Sequence, residues 1–146
     1  MDLIDLMPSG QTFRLVTTLD LPDGADVPAG FTGRVKFHDA DQLCAVAWYE
    51  DGRLHNPGHH HPAFRRFRPS GAVKFEMYYE YGVLTDPSAH IPAVSGYYAD
   101  GARHYAERYL GGQRHDGADG GAAVTKWRQD GTLRHELRYQ RGVRVR

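Results

Sequence analysis

The residues of this chain whose types could do chemistry are nine histidines, one cysteine and four serines. The densest group is Gly58-His59-His60-His61-Pro62, and imidazole is the commonest metal ligand. On an extended chain, successive side chains point to opposite faces, so only His59 and His61 could share one ion. No second cluster with zinc spacing accompanies them. His60 and His90, and likewise His55 and His115, lie a multiple of thirty residues apart, and that regularity accounts for them without a ligand. The histidines therefore read as a solvated loop, and no metal is expected.

A nucleophile needs an oriented base and an oxyanion donor. Cys44 sits inside the apolar run Leu43–Tyr49, where it reads as a small, half-buried filler. Ser9, Ser70 and Ser88 stand beside proline or glycine in turns, and Ser95 precedes a glycine. Glu76, Glu80 and Glu136 fall on outward strand positions near basic neighbours, where cross-strand charge pairing accounts for them. The glycines recur as turn glycines, and no Gly-Lys-Ser/Thr follows them as a phosphate loop requires. No catalytic residue, cofactor or small-molecule substrate is expected.

Binding chemistry is better represented. Arg65, Arg66 and Arg68 alternate with Phe64 and Phe67, a mixture that can hold phosphates or single-stranded nucleic acid. The phenylalanines also occupy positions expected to pack, so surface solubility is the favoured reading and the arginines stay candidate contacts. A second group is Arg134, Arg138, Arg141 and Arg144, with Arg146 after them. Eighteen basic and eighteen acidic side chains make the whole chain neutral, which argues against a general nucleic-acid binder. The charge is unevenly placed. Residues 1–102 hold 8 basic against 13 acidic side chains, and residues 103–146 hold 10 against 5. An acidic first end and a basic last end suit head-to-tail stacking or an acidic partner, while charge along a sheet edge also guards against aggregation.

The elements that must carry these residues repeat. Gly52, Gly82, Gly112 and Gly142 are spaced thirty residues apart, and so are Gly71, Gly101 and Gly131, with Asp41 at the corresponding place before them. Three residues before each glycine of the first set stands a tyrosine: Tyr49, Tyr79, Tyr109 and Tyr139. Four before the second set stand Phe37, Phe67, Tyr97 and Trp127, and His61–Phe64, Ile91–Val94 and Gly121–Val124 align upstream. A fixed period of this length marks a repeat architecture. Four units are expected at 27–56, 57–86, 87–116 and 117–146, preceded by a capping hairpin at 1–26.

Inside a unit the period is two. Val73, Phe75, Met77 and Tyr79 alternate with Lys74, Glu76 and Tyr78, which predicts a strand. In the third unit Arg103 and Glu107 take inward-type places. Each unit reads as a hairpin: a short strand at 63–68, a glycine turn at 69–71 and a longer strand at 72–80. About eleven residues connect it to the next hairpin. The predicted fold is all-β, an elongated antiparallel β-hairpin repeat of nine or ten strands. At about 4.8 Å per strand it would extend on the order of 45 Å, with its apolar row covered either by coiling or by the connections.

The segments Trp48–His55 (WYEDGRLH) and His61–Phe64 (HPAF), with their later counterparts, resemble MORN-like repeat proteins, in particular the YwqK-type antitoxin-like repeats. Related repeats occur in phage and giant-virus proteins. The resemblance covers residues 27–146 and implies a hairpin solenoid, without a catalytic site, used for contact with protein or membrane partners. The expected function is a non-enzymatic scaffold for protein–protein interaction, an adaptor or immunity-type protein encoded by a phage or a bacterium. The alternatives are a structural part of a viral particle or other assembly, and anionic lipid or nucleic-acid binding through the basic end. The single cysteine fits a reducing compartment, no apolar run spans a bilayer as a helix, and the acidic start lacks a signal peptide's positive charge. These point to the cytoplasm, or to a host cytoplasm or virion for a phage protein.

Overall fold

A computed structural model describes residues 5–6, 13–14, 16–58 and 60–146, and no helix occurs among them. The chain opens with β1 (Asp5–Leu6) and β2 (Phe13–Arg14), an antiparallel pair, followed by β3 (Thr18–Pro22). Then come β4 (Gly33–Asp39), β5 (Gln42–Glu50) and β6 (Arg53–Leu54). The next stretch holds β7 (Phe64–Phe67), β8 (Val73–Met77), β9 (Tyr79–Glu80) and β10 (Val83–Leu84). It is followed by β11 (Val94–Tyr97), β12 (Arg103–Glu107), β13 (Tyr109–Leu110) and β14 (Gln113–Arg114). The last are β15 (Val124–Trp127), β16 (Leu133–Gln140) and β17 (Val143–Val145).

Ten strands form one sheet in the order β3-β4-β5-β7-β8-β11-β12-β15-β16-β17, with β6 attached to β5. The expected all-β class is what the chain adopts, but the sheet is mixed. β3 runs parallel to β4, Thr18 beside Arg34 and Leu21 beside Phe37, whereas every later neighbour is antiparallel. A purely antiparallel sheet fails here because residues 23–32 carry the chain back to the starting end of β3 before β4 begins. The close pairing needs Gly33. A β-carbon there would stand 2.3 Å from the Thr17 carbonyl oxygen, and the backbone φ is +140°. Much of the capping hairpin expected at 1–26 lies outside the described residues.

Two kinds of turn explain the two sets of glycines. At Gly71, Gly101 and Gly131 the backbone φ is +90°, and each glycine amide donates three residues back, to Arg68, Tyr98 and Arg128. The strand register shifts just before each of these turns, the mark of a glycine-dependent bulge that adds twist. At Asp51-Gly52, Tyr81-Gly82, Gly111-Gly112 and Arg141-Gly142 both residues have positive φ, as a two-residue type I′ hairpin requires. The place given to Asp41 is corrected. In that shorter turn Asp39 pairs directly with Gln42, and Ala40 takes the positive φ.

The long strand expected at 72–80 is also corrected, because it ends at Met77. The Tyr78 amide donates forward to the Ala93 carbonyl oxygen at 2.7 Å, and the chain then forms the separate ribbon β9–β10. The ribbon β13–β14 repeats this thirty residues on. Each middle stretch thus holds a long and a short hairpin. The short hairpins hang on one another: Gly82 donates to the Leu54 carbonyl, Gly112 to Leu84 and Gly142 to Arg114, at 2.7–2.9 Å.

The core lies at the β4–β5 end. Val35, Phe37, Ala45 and Ala47 are buried, with Leu19, Leu21, Val27, Phe31, Tyr49, Leu54 and Phe64 packed around them. Cys44 is the half-buried filler expected, its thiol donating to the Phe37 carbonyl at 3.3 Å. Further along, Ala63, Ala93 and Ala123 are fully buried, and the Phe64 and Phe75 rings stack at 5.8 Å. Gly96 lies beneath the ring of Tyr105, its cross-strand partner, where a β-carbon would meet the ring at 2.1 Å. Gly96→Val is therefore expected to lower unfolding free energy by about 1–3 kcal/mol, the usual overpacking cost. Tyr105→Ala in the same chain should recover part of the loss, read by urea denaturation; independent, additive losses would refute the packing argument.

Candidate functional site

Each connection between hairpins opens with a side-chain oxygen that binds two backbone amides. Asn56 Oδ1 accepts from Ala63 at 3.1 Å and Tyr79 at 2.8 Å. Thirty residues on, Asp86 Oδ1 accepts from Ala93 at 2.8 Å and Tyr109 at 3.0 Å. Asp116 Oδ1 does the same with Ala123 at 2.9 Å and Tyr139 at 3.0 Å. In return, the backbone amides of Asn56, Asp86 and Asp116 donate to the Tyr79, Tyr109 and Tyr139 carbonyls at 2.8–2.9 Å. Each clasp joins one connection to both hairpins that follow it. A β-ladder cannot satisfy an amide where two hairpins diverge, and a buried amide left alone is costly. Either an amide or a carboxylate oxygen meets this need, which is why Asn56 can stand where the later units have Asp86 and Asp116.

His55 and His115 belong to the same framework. His55 Nδ1 accepts from the Tyr81 amide and His115 Nδ1 from the Arg141 amide, each at 3.0 Å. Thr85 Oγ1 holds the equivalent place and accepts from Gly111 at 3.4 Å. No group of three or more possible metal-ligating residues exists among the described residues, and His59 lies outside them.

The two arginine groups fare differently. Arg65 and Arg66 point to opposite faces of β7, so Arg65, Arg66 and Arg68 do not make one basic patch. Arg65 pairs with Glu76 directly across the strands at 2.6 Å, and Glu76 also accepts from the Tyr97 hydroxyl. This is the cross-strand pairing expected of Glu76; Glu136, facing Thr125, has no such partner among the described residues. Arg66 makes a two-pronged pair with Asp23, whose carboxyl it holds below the usual range. Arg68 donates to the Tyr97 carbonyl.

Inward-type charges in the third unit are likewise matched. Glu107 accepts from the Tyr109 hydroxyl at 2.9 Å and from Arg114 at 3.2 Å. Arg103 lies over the Trp127 ring at 4.3 Å. Arg108 reaches Asp119 at 3.3 Å and Asp86 at 3.7 Å.

The last stretch of chain is open. Arg138 donates to the Gly120 carbonyl and lies 3.6 Å from Asp116, and these groups line a groove of about 450 Å³ with Tyr109 and His115. The side chains of Arg134, Arg141 and Arg144 have no hydrogen-bond or ion-pair partner among the described residues and are exposed. Leu133, Val143 and Val145 are exposed beside them. Three pairing seats precede this edge: Ala45–Ala47 pairs with β7, Phe75–Met77 with β11 and Tyr105–Glu107 with β15. At the equivalent place in β16, residues 135–137 pair only with β15 among the described residues.

Compared with models of known families, with curated proteins and with solved structures, the chain matches none. The clasp residues escaped the sequence reading, although they stand four residues after Gly52, Gly82 and Gly112 and share the thirty-residue spacing.

Burial pushes the Asp86 carboxyl above its ordinary value, against the two amides and Arg108 that favour the charge. A raised native value means that stability is greatest in acid and falls as pH rises through that value. Asp86→Asn keeps the amide-accepting oxygen without ionising, so it should change stability at pH 7 by no more than about 1 kcal/mol. Its stability relative to the wild type should rise as pH increases from strongly acidic toward neutral. Asp86→Ala orphans both amides and should cost about 2–4 kcal/mol. Thermal unfolding across pH measures all three; equal losses for Asn and Ala would show that the oxygen is not what matters.

Proposed function

We propose that this chain is a non-enzymatic scaffold that works by binding another protein, built from the four repeats 27–56, 57–86, 87–116 and 117–146 after a cap at 1–26. The reading follows the resemblance to MORN-like, YwqK-type repeats. The recurring clasps, turns and pairing seats support equivalent units. What carries the protein-binding reading is the stretch 133–146, where arginines without partners among the described residues and exposed apolar side chains border a sheet edge that has one neighbour among those residues. A sheet edge of this kind is the usual template for adding a strand from another chain.

A second reading, a subunit of an ordered assembly, is favoured by the exposed acidic side chains Asp26, Asp39, Asp41 and Asp51 toward the opposite end. Oppositely charged ends can stack head to tail into a ring or filament. Light scattering separates the two readings: an assembly grows with protein concentration and shrinks with salt, whereas an adaptor stays at one mass.

Affinity capture from native lysate, quantified by mass spectrometry, tests the main reading. The wild type should enrich a small set of proteins, and Arg134→Glu with Arg144→Glu should reduce their recovery by about tenfold, the effect of losing roughly 1.4 kcal/mol. Enrichment no greater than with an unrelated β-protein would contradict it.

A further inference from the structure

We infer that the sheet face bearing Phe75 and Tyr105 binds single-stranded nucleic acid, with a base stacked on Tyr105 and phosphates held by Lys74 and Lys126. The inference goes beyond the protein-binding reading and does not rest on it, because that reading concerns an edge of the sheet.

Strand register assembles this face from residues far apart in sequence. Arg66, Phe75, Gly96, Tyr105, Lys126 and His135 are successive cross-strand neighbours on six adjoining strands. At about 4.8 Å per strand the row runs about 24 Å, room for about four nucleotides of an extended strand. Lys74 is the extra residue of the bulge before Phe75. It lines the same cavity of about 230 Å³ as Arg66, which places it on this face. The Tyr105 ring is the platform. Gly96 has no side chain to hold that ring off the sheet, so the ring lies down over it, 2.1–2.7 Å from where a β-carbon would stand. One ring face is thereby covered, and Tyr105 is half-buried rather than enclosed. A ring laid on a sheet turns its other face outward, the geometry on which an unpaired base stacks. His104 meets the Tyr105 ring edge-on at 5.3 Å and stacks on Tyr98 at 4.1 Å, which fixes the platform from the side.

Charge supplies the second half of the chemistry. Lys74 is exposed and Lys126 half-buried, and neither has a hydrogen bond or ion pair among the described residues. Both lie on inner strands with a neighbour on each side, so their freedom does not come from a sheet edge. The carboxylates nearby are engaged: Asp23 by Arg66, and Glu107 by Arg114 and the Tyr109 hydroxyl. Asp100 and Asp130 hold amides of their own turns. The chain is neutral as a whole, yet this face keeps two ammonium groups unmatched among the described residues. Among polyanions a single strand suits it best, because cations beside an aromatic platform engage phosphate and base together. A duplex hides its bases within the stack, and an acidic peptide would leave the Tyr105 platform unused.

Labelled oligothymidylate and oligouridylate, titrated onto the full chain in low salt and followed by fluorescence anisotropy, test the inference. At least one should bind, with log affinity falling against log salt at a slope of about −1.4, as two phosphate contacts on a single strand require. Lys126→Ala should make that slope shallower by about 0.7. Tyr105→Ala should weaken binding about fivefold or more, the loss of one base stack, while Tyr105→Phe should bind like the wild type. Lys74→Glu with Lys126→Glu alters only side chains outside the core and leaves the platform in place. It should reduce affinity by about tenfold or more in a chain that unfolds at the wild-type denaturant concentration. Heparin fragments, which carry charge without bases, and the same oligonucleotides in duplex form should bind more weakly. Failure of both oligonucleotides to bind would overturn the inference. Equal binding of heparin, with no effect of Tyr105→Ala, would overturn it too, by assigning the face to polyanions in general.

Discussion

The junction between hairpins depends on one side-chain oxygen accepting two backbone amides. Hairpins laid edge to edge satisfy their own ladders, but the chain must leave the sheet to start the next one. At each exit the amides of Ala63, Ala93 and Ala123 and of Tyr79, Tyr109 and Tyr139 are left without a strand partner. Asn56, Asp86 and Asp116 meet that demand. The arrangement fixes the neighbouring residues as well. The alanines are fully buried because the clasp draws their backbone against the preceding strand. The glycine turns close tightly because each short ribbon must hang from the one before it.

Most of the architecture was legible because its signals are local and repeated. Turn glycines at fixed spacing and the alternation through Val73–Tyr79 translate directly into strands and bends. What was illegible depended on the chain's partners in space. Tyr78 belongs by pattern to the strand before it, yet its amide donates to Ala93, and that long-range bond ends the strand. The alternation in β3 gives no sign of its parallel direction, and only the close approach of Gly33 to Thr17 betrays it. Arg65 and Arg66 looked like one patch because sequence adjacency hides that a strand sends neighbours to opposite faces. For the candidate site, the basic last unit was visible in composition, but not the distinction between arginines with partners and arginines without them.

That distinction gives the functional proposal its physical content. Arg65, Arg66, Arg68, Arg103, Arg108 and Arg114 each neutralise a carboxylate, cap a carbonyl or lie over an aromatic ring. They stabilise the sheet and have little left to offer a partner. Arg134, Arg141 and Arg144 make no such contact among the described residues. On the proposed reading a partner would meet these unmatched charges, and its binding would be sensitive to salt.

Equivalence of the units, held by equivalent clasps, is the central claim, and removal of one whole unit measures it most directly. With residues 87–116 deleted, Asp86 would meet the amides of Ala123 and Tyr139, and Met77 would face Val124. The shortened chain should fold cooperatively into a sheet of lower stability, seen by circular dichroism and denaturant unfolding. A deletion of the same kind but half a unit in length should not fold. Failure of the full-unit deletion to fold, or equal behaviour of the two, would contradict the account.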